Sequence, residues 1–197
     1  MKVLVACEYS GRVRDAFTKL GHDAMSCDLL ETESPGNHYK GDVREVLGGG
    51  WDLMIAHPDC TYIANSGVCW LDKDIARWKK LYSACDFFKL FLNHSCEKIV
   101  IENPIPHKYG LSWIGKKYSQ TIQPYQFGHL ETKRTCLWLK GVNPLVETNN
   151  VKAEMDLLPK SQSNRLHYLP PKPDRWKQRS RTFQGIADAM AMQWGGS

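Results

Sequence analysis

The fold is decided by the stretch KVLVACEYSGRVRDAFTKLGHDAMSCD, which spans residues 2–28. The apolar run Lys2–Ala6 predicts a buried first strand. Ser10–Leu20 then has apolar residues at helical spacing, and Gly21 is placed to end that helix. His22–Cys27 predicts a second strand. A strand, a helix and a second strand in this order are the unit from which parallel sheets are built.

The alternation of short apolar runs with amphipathic stretches continues to about residue 140. It predicts an α/β fold class, with a mostly parallel sheet covered by helices on both faces. The later predicted elements are a third element leading to Gly41–Val43, a strand at Trp51–Ala56, a helix at Ile75–Leu92, a strand at Lys98–Ile101, two strands at Gln120–Gln123 and Thr135–Leu139 that close the sheet edge, and a helix at Ile186–Trp194.

The composition indicates one domain spanning residues 1–197. A chain of 197 residues that is 42% hydrophobic can bury one sizeable core. No stretch reaches the roughly 18 consecutive apolar residues that cross a bilayer, so no membrane association is predicted. Seven cysteines without a short-spaced framework predict reduced thiols in a cytoplasm, and the lack of a C-x-x-C pair argues against a metal site.

Prolines and basic residues interrupt the alternation at about residues 144–182, which we call the basic excursion. Cations interleaved with aromatic rings are typical of surfaces that bind phosphates and bases, and a solvated loop is the alternative interpretation. The net charge of +5 permits contact with a polyanion without requiring it. The candidate nucleic-acid contacts of this segment are Arg175, Trp176, Lys177 and Arg179.

Ligands of open parallel sheets lie outside the carboxyl ends of the strands, so polar residues after the predicted strands form the candidate site. Gly11 follows the first strand, where a missing side chain lets the backbone approach a ligand. Asp28 follows the second strand, at a position from which a carboxylate commonly accepts hydrogen bonds from ribose hydroxyls. An ordinary turn aspartate is the alternative. Together the two residues predict a nucleoside-containing cofactor.

Cys60 is the candidate nucleophile. It follows Pro58 on a predicted rim turn, whereas Cys85 and Cys96 occupy positions typical of small buried hydrophobes. A thiol on such a turn can be tuned toward the thiolate by nearby N–H groups and cations. Glu102, at the end of the neighbouring predicted strand, is placed to face the same pocket and to hydrogen-bond or protonate a ring nitrogen.

These motifs resemble those of the DNA (cytosine-5)-methyltransferases, in type and in their order along nearly the whole chain. The glycine-containing first loop of the family is similar to Tyr9-Ser10-Gly11, its proline–cysteine nucleophile loop to Pro58-Asp59-Cys60, and its Glu-Asn dipeptide to Glu102-Asn103. The acidic residues after the second and third strands of the family correspond to Asp28 and Asp42.

The resemblance implies a Rossmann-like S-adenosylmethionine-dependent methyltransferase fold and a reaction on DNA. The thiolate of Cys60 would add to carbon 6 of a cytosine while Glu102 contacts N3, so that carbon 5 takes a methyl group from S-adenosylmethionine. The cytosine must leave the base stack to be reached. Arg134 with Lys133, in a basic segment like that before a late strand of the family, would hold the base or its phosphate. The implied cofactor-binding residues are Tyr9, Ser10, Gly11, Asp28, Leu29, Asp42 and Pro58.

Three features depart from the family pattern. Asp59 separates the proline from the cysteine, Val13 stands where a glycine is common, and only the basic excursion could replace a large target-recognition domain. In its brevity the chain is similar to phage-type members, which implies the cytoplasm of a bacterium or of a phage-infected host. A homo-oligomer or a partner protein could supply target recognition.

Two other functions stay open. His57-Pro58-Asp59-Cys60 with Tyr62 could be a degenerate form of the Asp-Pro-Pro-aromatic loop of amino-methyltransferases, which act on an exocyclic base amine. That interpretation predicts that Cys60→Ser leaves activity largely intact. The chain could also be a non-catalytic module that keeps the cofactor fold and binds nucleic acid through the basic excursion.

Overall fold

A seven-stranded sheet organises the chain in the computed structural model, which describes residues 1–196. The strands are β1 (Lys2–Ala6), β2 (Asp23–Asp28), β3 (His38–Lys40), β4 (Leu53–Ala56), β5 (Lys98–Pro104), β6 (Gln120–Ile122) and β7 (Thr135–Lys140). The α-helices are α1 (Arg12–Lys19), α2 (Ile75–Leu92), α3 (Lys108–Ile114), α4 (Lys152–Asp156), α5 (Lys160–Ser163), α6 (Arg165–Tyr168), α7 (Arg175–Ser180) and α8 (Gln184–Gly195).

The strands lie in the order β3-β2-β1-β4-β5-β7-β6. The first five strands pair in parallel, and β7 runs antiparallel to both of its neighbours. A sheet of this order with a reversed β7 is that of the Rossmann-like S-adenosylmethionine-dependent methyltransferase fold. The predicted fold class is therefore confirmed.

The sheet is buried on both faces because its central strands are apolar on both sides. In β1, Val3 and Val5 contribute to one core cluster and Leu4 and Ala6 to the other, since successive side chains of a strand point to opposite faces. Helices α1 and α8 cover the first cluster, and α2 and α3 cover the second. This layering leaves the carboxyl ends of the parallel strands as the open edge.

One strand differs from the sequence-based expectation. β5 continues to Pro104, so Glu102 and Asn103 lie inside a strand, because β7 pairs with that stretch and satisfies its backbone. β7 and β6 lie together at one edge of the sheet, as predicted for the two late strands, with β6 outermost. The basic excursion contains the short helices α4 to α7.

Candidate active site

A cavity of about 380 Å³ opens at the carboxyl ends of the parallel strands. It brings together residues from β1, β2, β4 and β5 that are far apart in sequence, as expected for this sheet architecture. The predicted site residues that line it are Tyr9, Ser10, Asp28, Leu29, Asp42, Pro58, Cys60, Glu102, Lys133, Trp176 and Arg179. The lining of this cavity does not include Gly11, Arg134, Arg175 or Lys177.

The loop after β1 holds a buried carboxylate that the sequence analysis did not single out. Glu8 is only 4% exposed, and its two oxygens accept hydrogen bonds from the backbone N–H groups of Val13 (2.8 Å) and Arg14 (3.2 Å). Ser10 Oγ donates to the same carboxylate at 3.1 Å. Glu8 thus occupies the N–H donors at the start of α1 that would bind a phosphate in a dinucleotide-binding fold.

Gly11 has a packing role in that loop. Its φ of +73° is left-handed, and a Cβ added there would lie 2.5 Å from Nη2 of Arg14. Arg14 is fully buried, and its guanidinium donates to Ser26 Oγ and to the backbone oxygen of Ser34. The absence of a side chain at Gly11 therefore leaves space for Arg14, whose hydrogen bonds connect α1 to the segment after β2.

Cys7, which precedes this loop, also has a strained backbone. Its φ is +58°, and among residues 1–196 it is the only non-glycine residue with a positive φ. It lines the cavity, where burial raises the pKa of its thiol. Strained backbone of this kind persists where the surrounding structure fixes it, often at functional sites. The sequence carried no signal for it, because a φ value is not readable from residue type.

Asp28 and Asp42 line the cavity from the next two strand ends. Burial raises the pKa of Asp28 above its usual value, although the backbone N–H of Leu30 donates to its Oδ1 at 3.0 Å. Asp42 caps the short helical turn that follows it by accepting from the N–H of Arg44, which lowers its pKa. The two carboxylates place acidic groups on this wall of the cavity, where Asp42 also pairs with Arg44 at 2.7 Å.

Cys60 lies on the rim as predicted, but its thiol is not tuned toward the thiolate. Burial, followed by the charges of Asp59 and Glu102, raises its pKa to about 11, and the charge of Lys133 opposes this rise only in part. The sequence pattern indicated nearby N–H groups and cations, whereas the charges of two carboxylates act on this thiol. At neutral pH the Cys60 side chain is therefore a thiol.

Asn103 fixes the loop that carries Cys60. Its side-chain nitrogen Nδ2 donates to the backbone oxygen of Pro58 at 2.7 Å, and the residue is fully buried. In the dipeptide Glu102-Asn103, the side chain of Glu102 lines the cavity and that of Asn103 holds the loop of Cys60. The buried Oδ1 of Asn103 has no hydrogen-bond partner within residues 1–196.

Glu102 forms a buried pair with His57, the residue that directly follows β4. Nδ1 of His57 lies 3.0 Å from Oε2 of Glu102, and the two side chains are 10% and 12% exposed. Burial works against ionisation, yet the hydrogen bond from His57 and the charge of Lys133 hold the pKa of Glu102 below its usual value. An ionised Glu102 accepts the hydrogen bond from Nδ1, and the buried Nε2 of His57 has no hydrogen-bond partner within residues 1–196.

Lys133 is the cation whose charge lowers the pKa of both Cys60 and Glu102. It lines the cavity, and its Nζ donates to the backbone oxygen of Arg181 at 3.5 Å. Arg134 is exposed and lies outside the cavity lining.

The end of the basic excursion closes one side of the cavity. The hydroxyl of Tyr9 donates to the backbone oxygen of Lys177 at 2.8 Å and lies 2.8 Å from Ser180 Oγ. The rings of Tyr9 and Trp176 lie 5.9 Å apart. Arg181 forms a two-pronged ion pair with Glu33 at 2.6 and 2.7 Å. Helix α7 is therefore a wall of the site rather than a separate basic surface.

Residues 1–196 contain no group of three or more histidine, cysteine or carboxylate side chains that could hold a metal ion. Within the same residues, no helix has both the length and the apolar character needed to traverse a lipid bilayer.

No protein-family model and no curated protein matches the chain. Among solved structures it is similar to a protein assigned as a DNA modification methyltransferase encoded within a prophage of E. coli, with a TM-score of 0.47 and 14% identity over 80% of this chain and 55% of that chain. It is also similar to the methyltransferase EhMeth of Entamoeba histolytica, with a TM-score of 0.47 and 16% identity over 76% of this chain and 56% of that chain. The chain thus spans a little over half the length of each.

Proposed function

We propose that the chain transfers a methyl group from S-adenosylmethionine to carbon 5 of a cytosine in DNA, with Cys60 as the nucleophile. The observation that carries the proposal is that Cys60, Glu102 and the acidic strand ends open into one cavity. The order of the motifs along the chain gives the same assignment by resemblance. A partner protein or a second copy of the chain would then supply target recognition.

The chemistry of the cavity fits a nucleoside cofactor that has no phosphate. Glu8 already takes the α1 N–H groups that would bind one, and Asp28 and Asp42 give the wall a charge suited to a cation. Asp28 is the residue to accept from ribose hydroxyls, with Leu29, Asp42, Tyr9, Ser10 and Pro58 completing the contacts. When bound, S-adenosylmethionine supplies the electrophilic methyl group.

The residues of the chain divide the remaining work. Cys60 has to lose its proton as its sulfur bonds to carbon 6, and Lys133 is the cation that favours the thiolate. The pair of Glu102 and His57 faces the same cavity, where it can hydrogen-bond N3 of the base and supply or hold one proton. The base reaches these groups only after it has been extruded from its stack.

A mechanism-based trap tests the proposal. DNA containing 5-fluorocytosine, incubated with the protein and S-adenosylmethionine, should form an adduct that survives denaturation, because fluorine at carbon 5 cannot leave as the proton does. Cys60→Ser should form none, and Cys69→Ser, which changes an exposed cysteine outside the cavity, should form it normally.

Nucleoside analysis of unmodified DNA completes the test, with 5-methylcytosine as the expected product. Methylation of an exocyclic amine that persists in Cys60→Ser would overturn the proposal in favour of an amino-methyltransferase. Binding of DNA with neither adduct nor methylated product would identify a non-catalytic module instead.

A further inference from the structure

Four aromatic rings form a continuous row on the outer surface of α2 and α3, which we call the aromatic face: Tyr109, Trp78, Tyr82 and Trp113. Successive ring centroids along the row lie 5.0, 6.1 and 4.3 Å apart. Tyr82, Tyr109 and Trp113 are 37%, 39% and 43% exposed, which is unusual for large rings that a sheet core could bury. Neither the fold nor the cavity accounts for them.

Cations border these rings. Nζ of Lys89 lies 5.2 Å from the ring of Trp113, and Nζ of Lys108 lies 4.9 Å from the ring of Tyr109. Lys79 and Lys80 are exposed on the same helix α2. One acid, Asp86, lies within the face and is held by Trp113 Nε1 at 3.1 Å and by Lys89 at 3.6 Å. The face thus combines flat apolar surfaces with positive charge.

Both helices of the aromatic face are fastened to the loop of Cys60. Near the start of α2, Arg77 donates from Nη2 to the backbone oxygen of Thr61 at 3.3 Å. Directly before α3, the ring Nε2 of His107 lies 2.9 Å from the backbone oxygen of Tyr62. The backbone N–H of His107 donates to the backbone oxygen of Ile63 at 3.0 Å. The two helices that carry the rings are therefore held to the segment that directly follows Cys60.

We propose that the aromatic face binds the unpaired nucleic-acid strand that flanks the target base. Exposed rings offer stacking surfaces to splayed bases, and neighbouring lysines offer charge to the phosphates. The lysines Lys79, Lys80, Lys89 and Lys108 outnumber the single acid Asp86 within the face, and this positive charge complements a polyanion. The proposal depends on the proposed function for the place of the target base, but strand binding itself needs no turnover.

Fluorescence anisotropy with short labelled oligonucleotides tests the face directly. The full chain should bind a single strand more tightly than a duplex of the same sequence. Tyr82→Ala and Trp113→Ala should each weaken single-strand binding about tenfold, because each removes one stacking surface. Tyr168→Ala is the matched control, since it removes an exposed ring from the basic excursion and should leave binding unchanged.

The charges are tested separately from the rings. Lys89→Gln with Lys108→Gln should make binding less sensitive to salt, by roughly 0.7 in the logarithmic slope for each lost phosphate contact. These exposed substitutions also serve if an alanine variant fails to fold.

Equal affinity for single strands in the wild type and in all three face variants would overturn the proposal. Loss of self-association in those variants, with strand binding retained, would overturn it in favour of a protein interface. If DNA containing 5-fluorocytosine forms no adduct but single strands still bind in a ring-dependent way, the proposed reaction is wrong. The proposal that the aromatic face binds a nucleic-acid strand would then still hold.

Discussion

At the scale of single residues, the proposed nucleophile Cys60 has a raised pKa. Burial and the carboxylates of Asp59 and Glu102 raise the pKa of Cys60 to about 11, so almost none of it is thiolate at neutral pH. A thiol in this state resists oxidation and adventitious alkylation, since the thiolate is the reactive species. Activation then depends on a change of charge when the site is filled, with Lys133 as the cation already in place.

Alkylation rates should report this resting state. At pH 8, iodoacetamide should modify Cys69, which is exposed, at least about tenfold faster than Cys60, because a pKa near 11 leaves roughly a hundredth of the thiolate of an ordinary thiol. The Cys60 rate should rise about tenfold per pH unit up to its pKa. Peptide mass spectrometry measures both rates.

Lys133→Gln should slow the modification of Cys60 further, because it removes the positive charge that lowers the pKa of this thiol. Lys140→Gln, an exposed substitution on β7, should leave the rate unchanged. Modification of Cys60 as fast as Cys69 at pH 8 would contradict a raised pKa.

At the scale of elements, helix α7 closes the site through a few contacts. Tyr9 holds it by two hydrogen bonds, and Arg181 and Glu33 tie the chain that follows it to the segment after β2. No side chain of α7 itself is buried. We expect a short exposed helix held in this way to open locally at lower free energy than the sheet, and we propose α7 as the element through which a ligand enters the cavity.

Tyr9→Phe should loosen α7 while leaving the sheet intact. The substitution removes the hydroxyl that bonds Lys177 and Ser180, at a net cost of about 1 kcal/mol. Amide hydrogen exchange across residues 175–180 should therefore speed up about fivefold. Exchange measured by mass spectrometry should be unchanged in Tyr168→Phe, and equal exchange in both variants would show that Tyr9 does not hold the helix.

At the scale of the whole molecule, the cavity joins the parallel strands to the end of the basic excursion. Residues separated by more than 160 positions, such as Tyr9 and Lys177, meet at its wall. A ligand in this cavity contacts parts of the chain that separate on unfolding, so its binding adds directly to the free energy of unfolding.

S-adenosylhomocysteine, the demethylated cofactor, should therefore raise the melting temperature. At a concentration 100 times its Kd the stabilisation is about 2.7 kcal/mol, equivalent to roughly 5 to 11 °C for a chain of this length. Asp28→Ala should abolish the shift at the same concentration. Asp23→Ala, at the opposite end of β2, should retain it, and an unchanged shift in Asp28→Ala would remove Asp28 from the cofactor site.

The helices and strands that were predicted correctly are those whose apolar residues form a clear local pattern. The bounds of β1 and of α2 agree with the sequence-based prediction because their apolar residues recur at the period of a strand and of a helix. The continuation of β5 through Glu102 was not predictable in this way, because a polar pair reads as a strand end until a partner strand, here β7, takes up its hydrogen bonds.

The sequence by itself determined the sheet, its open edge and the presence of Cys60, Glu102 and Asp28 at that edge, because these depend on periodicity and on strand ends. Only the tertiary structure decided that Glu102 pairs with His57, and that Lys133 rather than Arg134 lines the cavity. The same holds for the raised pKa of Cys60 and for the place of α7 on the cavity wall. Each of these depends on distance and burial between residues remote in sequence. Electrostatic energy is set by that separation and by the loss of water, and neither is written in the order of the residues.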